Sequence, residues 1–354
     1  MCYPYVHLTE TSLLLFRLYC RMRLQRSSLE NRLGRLLASL LPDASSILPP
    51  ATFQRMAAYQ EIAEHILCGG LARMQGRRLS EAEQTRLQLL AVVSTLLQDL
   101  PDNRSAGHSR ILQLIRSPDG FEPQDASESL LREAYLRLLT IAAEPRRVTA
   151  HCCEAVHWQE ASYRQKDAAI SEAELFRITY HKRFHAVLLM YTVFDRYPSP
   201  EETAMTFPLA GLMQLTNDVS GIWTDIRSGI YTIPILYRRY GRLERRFQAE
   251  SARFNQALAR LPYPPALKQE YAITVHAVHA MGLLAIRSLR KEAAGVRDVG
   301  ELALLGRKKL AFDLRNPAVV LALARKVRDL TNLTSFDGPT EPALKRDTRQ
   351  SARS

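Results

Sequence analysis

Apolar residues recur along this chain at steps of three and four, separated by polar and basic positions, which is the period of an amphipathic helix. Leu, Ala and Arg hold that spacing almost throughout. The pattern predicts an all-α protein. Residues 1 to about 41 read as one or two amphipathic helices, ended by the turn region of Pro42, Pro49 and Pro50. Another helix spans about 51 to 75 and runs to Gly69 and Gly70. Three later helices are marked by their starts. Ser80 with Glu83, Ser171 with Glu174, and Ser199 with Glu202 have capping-box spacing, and Pro200 takes the favoured first helical position. Each of these helices leads to a polar motif, at Asp99, Lys182 and Asn217 respectively. The motifs lie roughly 15 to 30 Å along their helices, so acidic clusters can converge at one end of a bundle. The near-apolar run Tyr271 to Ile286 reads as a buried core helix, and helices continue to about residue 331. From Asn332 onward Pro, Ser, Thr and charge dominate, so 332–354 reads as a disordered basic tail. The resulting division is 1–50 for N-terminal helices, 51–331 for one helical domain, and the tail. No period of about 20 to 50 residues repeats, which counts against a solenoid.

Composition narrows the class. A chain of 354 residues with 46% hydrophobic content buries a full core, and 15 glycines are few for an α/β or all-β chain of this length. The net charge of +12 comes from 48 Lys and Arg against 36 Asp and Glu, and eight of the 48 are lysine. That balance suits an anionic partner such as a diphosphate. Because the excess is spread along the chain, it reads as a solvated basic surface in preference to a nucleic-acid patch. Five cysteines give no paired framework, which fits a reducing cytoplasm. The apolar cluster Leu13 to Phe16 is too short for a signal sequence, and no run approaches the length of an integral membrane span. His151, Cys152 and Cys153 invite a zinc reading, but adjacent cysteines do not readily close one tetrahedral site and no partner pair follows, so a structural role is preferred.

The densest chemistry lies in Met213 to Pro234, MQLTNDVSGIWTDIRSGIYTIP. Asn217, Gly221 and Asp225 are four apart and share one face of a helix expected to stop at Gly229. Asp218 lies beside that stripe and Gln214 one turn before it. Carboxylates and amides at a helix C-terminus oppose the helix dipole, so stability does not ask for them. A hard divalent cation relieves the repulsion, and oxygen ligands suit Mg2+.

This segment resembles the second aspartate-rich region of class I isoprenoid synthases, the superfamily of trans-prenyl diphosphate synthases and terpene cyclases. Prenyl synthases read FQxxDDxxDxxxD followed by DLREGKxTLP, where this chain reads MQLTNDVSGIWTD and DIRSGIYTIP. Gly221 and Ile230 depart from that pattern, the second replacing a diphosphate-contacting lysine. Leu97 to Asn103, LQDLPDN, resembles the first aspartate-rich region, with Gln98 in place of its leading aspartate. Tyr180 to Arg183 is similar to the HKT-like site whose lysine contacts diphosphate. The resemblance implies a single-domain bundle of the class I terpenoid synthase type with a central apolar cavity. It implies three Mg2+ ions held by Asp99, Asp102, Asn217, Asp218 and Asp225, with Asp99, Asp102, Asn217 and Asp225 as catalytic residues. Lys182, Gln214, Lys308 and Arg315 would bind the substrate, and a homodimer is the family habit.

Ionising an allylic diphosphate needs the leaving charge neutralised while the carbocation stays dry. Chain elongation also needs a basic site for isopentenyl diphosphate. Gly76-Arg77-Arg78 and Arg104 to Gly107 do not match the family elements that supply it, so a terpene synthase is expected in preference to an elongating prenyltransferase. The alternative outside enzymology is a helical isoprenoid-binding or interaction protein, including a degenerate synthase inactivated through Gln98, Gly221 and Ile230.

Overall fold

The computed structural model of the protein describes residues 5–43, 48–102, 107–307 and 317–334, and those residues form helices and connecting loops with no strand among them. The first, α1 (Leu8–Leu40), is a single unbroken helix of 33 residues, about 50 Å long. Helix α2 (Pro50–Ile62) widens into a π turn at Ala63–Leu67 and continues as α3 (Cys68–Met74). Gly69 and Gly70 therefore lie inside a helix instead of ending it. The π turn brings the Glu64 carbonyl oxygen to where a Cβ on residue 69 would sit, and a Cβ on residue 70 would lie 3.0 Å from the Tyr271 ring. The chain turns instead at Gly76, whose φ of 76° suits glycine.

Then follow α4 (Glu81–Asp102), α5 (His108–Arg116), α6 (Ala126–Ile141) and α7 (Pro145–Ala161), the last running into a 3-10 turn, Ser162–Lys166. Helix α8 (Glu172–Tyr191) and α9 (Pro200–Ser220) form the next antiparallel hairpin. The later described helices are α10 (Ile222–Arg227), α11 (Ile233–Leu236), α12 (Tyr240–Ala259), α13 (Pro265–Glu292), α14 (Val299–Leu304) and α15 (Pro317–Thr331). Full reciprocal capping boxes form at Ser80 with Glu83 and at Ser199 with Glu202. At Ser171 only the serine caps, because Glu174 pairs with Arg164 at 2.7 Å.

Helix α9 is the axis of the bundle, packed on α8, α12 and α13. Leu209, Leu212 and Leu215 are fully buried along it, each contributing about 1.5–3 kcal/mol. Two glycines let neighbours approach closely. The Tyr180 ring of α8 fills the space a side chain on Gly211 would need, and Thr216 does the same at Gly282 of α13. Helices α8, α9 and α13 contribute to both apolar clusters of the molecule, so the two clusters are joined through shared helices.

The expected continuous helix to Gly229 breaks at Gly221, the shared cap of α9 and α10. Gly229 then closes α10 with φ of 63°. Its N–H donates to the Ile226 carbonyl at 3.2 Å and the Ile230 N–H to the Asp225 carbonyl at 2.9 Å, the Schellman arrangement. The N-terminal helix is part of the same body: α1 packs on α2, α13 and α15, and the Asn332 side chain bonds both the N–H and the C=O of Val6. Helix α13, which carries Tyr271 to Ile286, is long and apolar enough to cross a membrane, and 67% of its most apolar window is buried inside the protein. The tail from residue 335 lies outside the described residues.

Candidate functional site

The α9–α10 break places the polar motif at the end of the bundle. Gly221 donates its N–H to the Asn217 carbonyl at 2.7 Å and accepts from the Asp225 N–H at 3.0 Å, so Asp225 stays next to Asn217 across the break. A Cβ on residue 221 would lie 3.5 Å from the Asp225 carboxylate. Gly221 therefore lies against the Asp225 carboxylate without itself lining the cavity described below.

Asp218 is buried. Its Oδ1 accepts from Gln214 Nε2 at 2.7 Å, and its Oδ2 accepts more weakly from Thr179 Oγ1 at 3.5 Å. Gln214 in turn accepts from Arg183 Nε at 3.1 Å, giving a chain from Arg183 through Gln214 to Asp218. Burial pushes the Asp218 carboxyl up to about 6, against the pull of Gln214, Lys182 and Arg183. Burial also raises Asp225, to about 7, and the charge of Asp218 adds to the rise while Lys182 opposes it. Two carboxylates held this high share negative charge that nearby cations only partly offset.

Gln214, Asn217, Asp218, Asp225 and Lys182, five of the residues singled out from sequence, line one cavity of about 520 Å³. Lys182 donates to Ser162 Oγ at 3.2 Å. Ile230, where the resemblance expects a lysine, also lines it; the rest of the wall was not legible in the sequence: Lys166, Tyr163 and Gln165 from the 3-10 turn, His108 at the start of α5, Gln159, and Thr232 beyond Gly229. Tyr231 and Gln165 hold the two segments together through a Tyr231 N–H to Gln165 carbonyl bond of 2.6 Å. One signal for Lys166 did exist. Lys166 and Lys182 are the two lysines before Lys268 in an arginine-rich chain, and both face this cavity.

A smaller cavity of about 60 Å³ adjoins it through Gln159, Lys182 and Gln214. Its walls also carry Tyr59, Ser94, Leu97, Gln98, Arg183 and Leu189, so its lining is mixed and not uniformly apolar. The end of α4 and the end of α9 thus meet across a cleft, but not through carboxylates. Gln98 faces the cleft. Asp99, one residue and about 100° further round α4, turns to the first turn of α2, where it is ion-paired with Arg55 and accepts from Thr52 Oγ1 at 3.1 Å. The Asp102 backbone is the last residue of α4, its side chain lying outside the described set; Lys308 and Arg315 fall outside the described residues altogether.

The donor set can be weighed against the three Mg2+ ions. Asn217, Asp218 and Asp225 are oxygen ligands suited to one hard cation, and their raised carboxyls are what an added positive charge would lower. The ions assigned to α4 find no such set among the described side chains, since Asp99 is engaged by Arg55 and Gln98 is an amide. No three His, Cys, Asp or Glu side chains converge as ligands anywhere among the described residues. Elsewhere, His151 bonds the Tyr197 hydroxyl at 3.0 Å and Cys152 is buried.

Compared with protein-family models, with curated proteins and with solved structures, the chain matches none.

Proposed function

We propose that the protein binds a prenyl diphosphate through Mg2+ at the α9–α10 end of the bundle and ionises it with release of diphosphate, the reaction of a class I terpene synthase. One observation carries the reading: Asp218 and Asp225, both raised above the usual carboxylate range, share a cavity with Lys166 and Lys182. Asn217, Asp218 and Asp225 would hold a Mg2+ ion, which supplies charge neutralisation to the departing diphosphate. Lys166 and Lys182 bring ammonium groups to the same oxygens. Lys166 stands in for the basic residue that the resemblance expects where this chain has Ile230. Gln214 holds Asp218 in place and couples it to Arg183.

A second reading, a non-catalytic prenyl diphosphate-binding protein, is favoured by the α4 side. Gln98 and the paired Asp99 offer no facing carboxylates. The inner cavity, at about 60 Å³, has room for about two waters. The Arg183 guanidinium in its wall repels a carbocation.

Incubating the full chain with geranyl, farnesyl and geranylgeranyl diphosphate, with and without Mg2+ and isopentenyl diphosphate, separates the readings. Mg2+-dependent diphosphate release with a hydrocarbon or alcohol product supports the synthase. Longer diphosphates formed only with isopentenyl diphosphate assign elongation instead. Mg2+-dependent binding by calorimetry without turnover assigns the binding protein. No binding of any of the three overturns both.

A further inference from the structure

Half of the exposed large hydrophobic side chains among the described residues fall within twenty residues of one another, at Tyr5, Leu13, Phe16, Tyr19 and Leu24. Four are on α1, and they are exposed by 50%, 63%, 59% and 82% from Leu13 to Leu24. On a helical projection these four fall in one arc of about 140°, extending about 17 Å along the axis. Arg23 is exposed within the same arc, and Arg17 is exposed at its edge, about 20° beyond Leu24. The two carboxylates of α1, Glu10 and Glu30, flank this span and leave none from Thr11 to Leu29; Glu30, on the same side of the helix but about 9 Å beyond Leu24, is paired with Arg26 at 3.0 Å. From Arg23 to Ser28 every side chain is exposed, and the carboxylate that this part of α1 has nearby from another helix is Glu61 of α2, within electrostatic reach of Arg23 and Arg26.

We propose that this face of α1 lies on an anionic lipid bilayer, with Leu13, Phe16, Tyr19 and Leu24 entering the interface and Arg17 and Arg23 meeting the headgroups. Apolar residues interleaved with arginine and free of carboxylates are what such a surface selects. Charge decides against the two other occupants of an apolar helix face. A symmetric pair of copies would bring the arginines of two α1 helices together, Arg17, Arg21, Arg23 and Arg26 from each, with no α1 carboxylate from Thr11 to Leu29 to offset them. An acidic peptide would need a groove, whereas the face is a single convex helix. The chain's net charge of +12 adds attraction to the same membrane.

The test is flotation of the full chain with vesicles of phosphatidylcholine, with and without phosphatidylglycerol. The wild type should float with the anionic vesicles and not with the neutral ones, and high salt should release it. Phe16→Ser with Leu24→Ser, and separately Arg17→Gln with Arg23→Gln, should each lower the bound fraction about tenfold. Both variants change exposed residues, and unaltered circular dichroism checks that each is folded. A wild type that stays with the soluble fraction overturns the proposal, as does equal flotation of the wild type and both variants. A concentration-dependent dimer in sedimentation velocity that Phe16→Ser with Leu24→Ser disperses, without any flotation, reassigns the face to a second copy.

Discussion

At the residue scale, two aspartates that look alike in sequence occupy opposite circumstances. Asp225, half-buried, stands beside the buried carboxylate of Asp218, while Asp99 already has a cation in Arg55. Asp225→Asn should therefore abolish Mg2+-dependent diphosphate binding, whereas Asp99→Asn, a change at a residue that faces Arg55 and is not in the cavity wall, should change it by no more than about fivefold, about 1 kcal/mol. Isothermal calorimetry with inorganic diphosphate measures both. Lys166→Ala should weaken the same binding by about tenfold, the worth of one charge-assisted contact. The stripe Gln214, Asn217, Asp218 and Asp225 was legible because a four-residue step marks one helix face whatever the tertiary structure. The direction of Asp99 was not, because periodicity fixes angles within a helix and leaves open how the helix is rotated in its bundle. Lys166 was missed for a different reason: it sits in a 3-10 turn, where no period points at a neighbour, and only the scarcity of lysine hinted at it.

At the scale of elements, helix starts were more legible than helix ends. The serine and glutamate pairs at Ser80 and Ser199 announce a local hydrogen-bond exchange that needs no distant partner. The glycines at 69 and 70 read as a terminator, yet they serve close approach within a π-widened helix, a requirement set by Glu64 and Tyr271. The central helix depends on the same economy of volume. Gly211→Ala would gain about 1 kcal/mol of helix propensity, but the added methyl meets the Tyr180 ring. A net loss of about 1–3 kcal/mol in urea denaturation is expected. Gly34, with no atom near its missing Cβ, provides the control, and Gly34→Ala should stabilise by about 0.5–1 kcal/mol.

At the scale of the whole molecule, five buried or half-buried histidines are held neutral. Burial lowers His185 and His279 to about 3 and His65 and His151 to about 4, and it lowers His276 as well. His276 bonds Asn255 at 2.9 Å and lies 3.2 Å from His279, which reaches the Leu209 carbonyl at 3.3 Å, linking α12, α13 and α9. In the unfolded chain such groups bind protons from about pH 6.5 downward. The stability they confer is thus present above that pH and is lost as pH falls toward their folded values. Asp218 and Asp225 act with the opposite sign, since their raised carboxyls favour the folded state below about pH 4 and lose that contribution as pH rises through about 6 and 7. With five histidines against these two aspartates, thermal melts of the metal-free protein should show the melting temperature falling from pH 6.5 to pH 4.5. Asp225→Asn should raise it at pH 8.

The amide of Asn332 grips Val6 by both its backbone groups, so the foot of α1 and the last turn of α15 are held side by side. A donor dye at residue 5 and an acceptor at residue 334 would begin almost in contact. Any swing of the long first helix away from the body, on a vesicle or in solution, should then register as lost energy transfer, long before the rest of the molecule loosens.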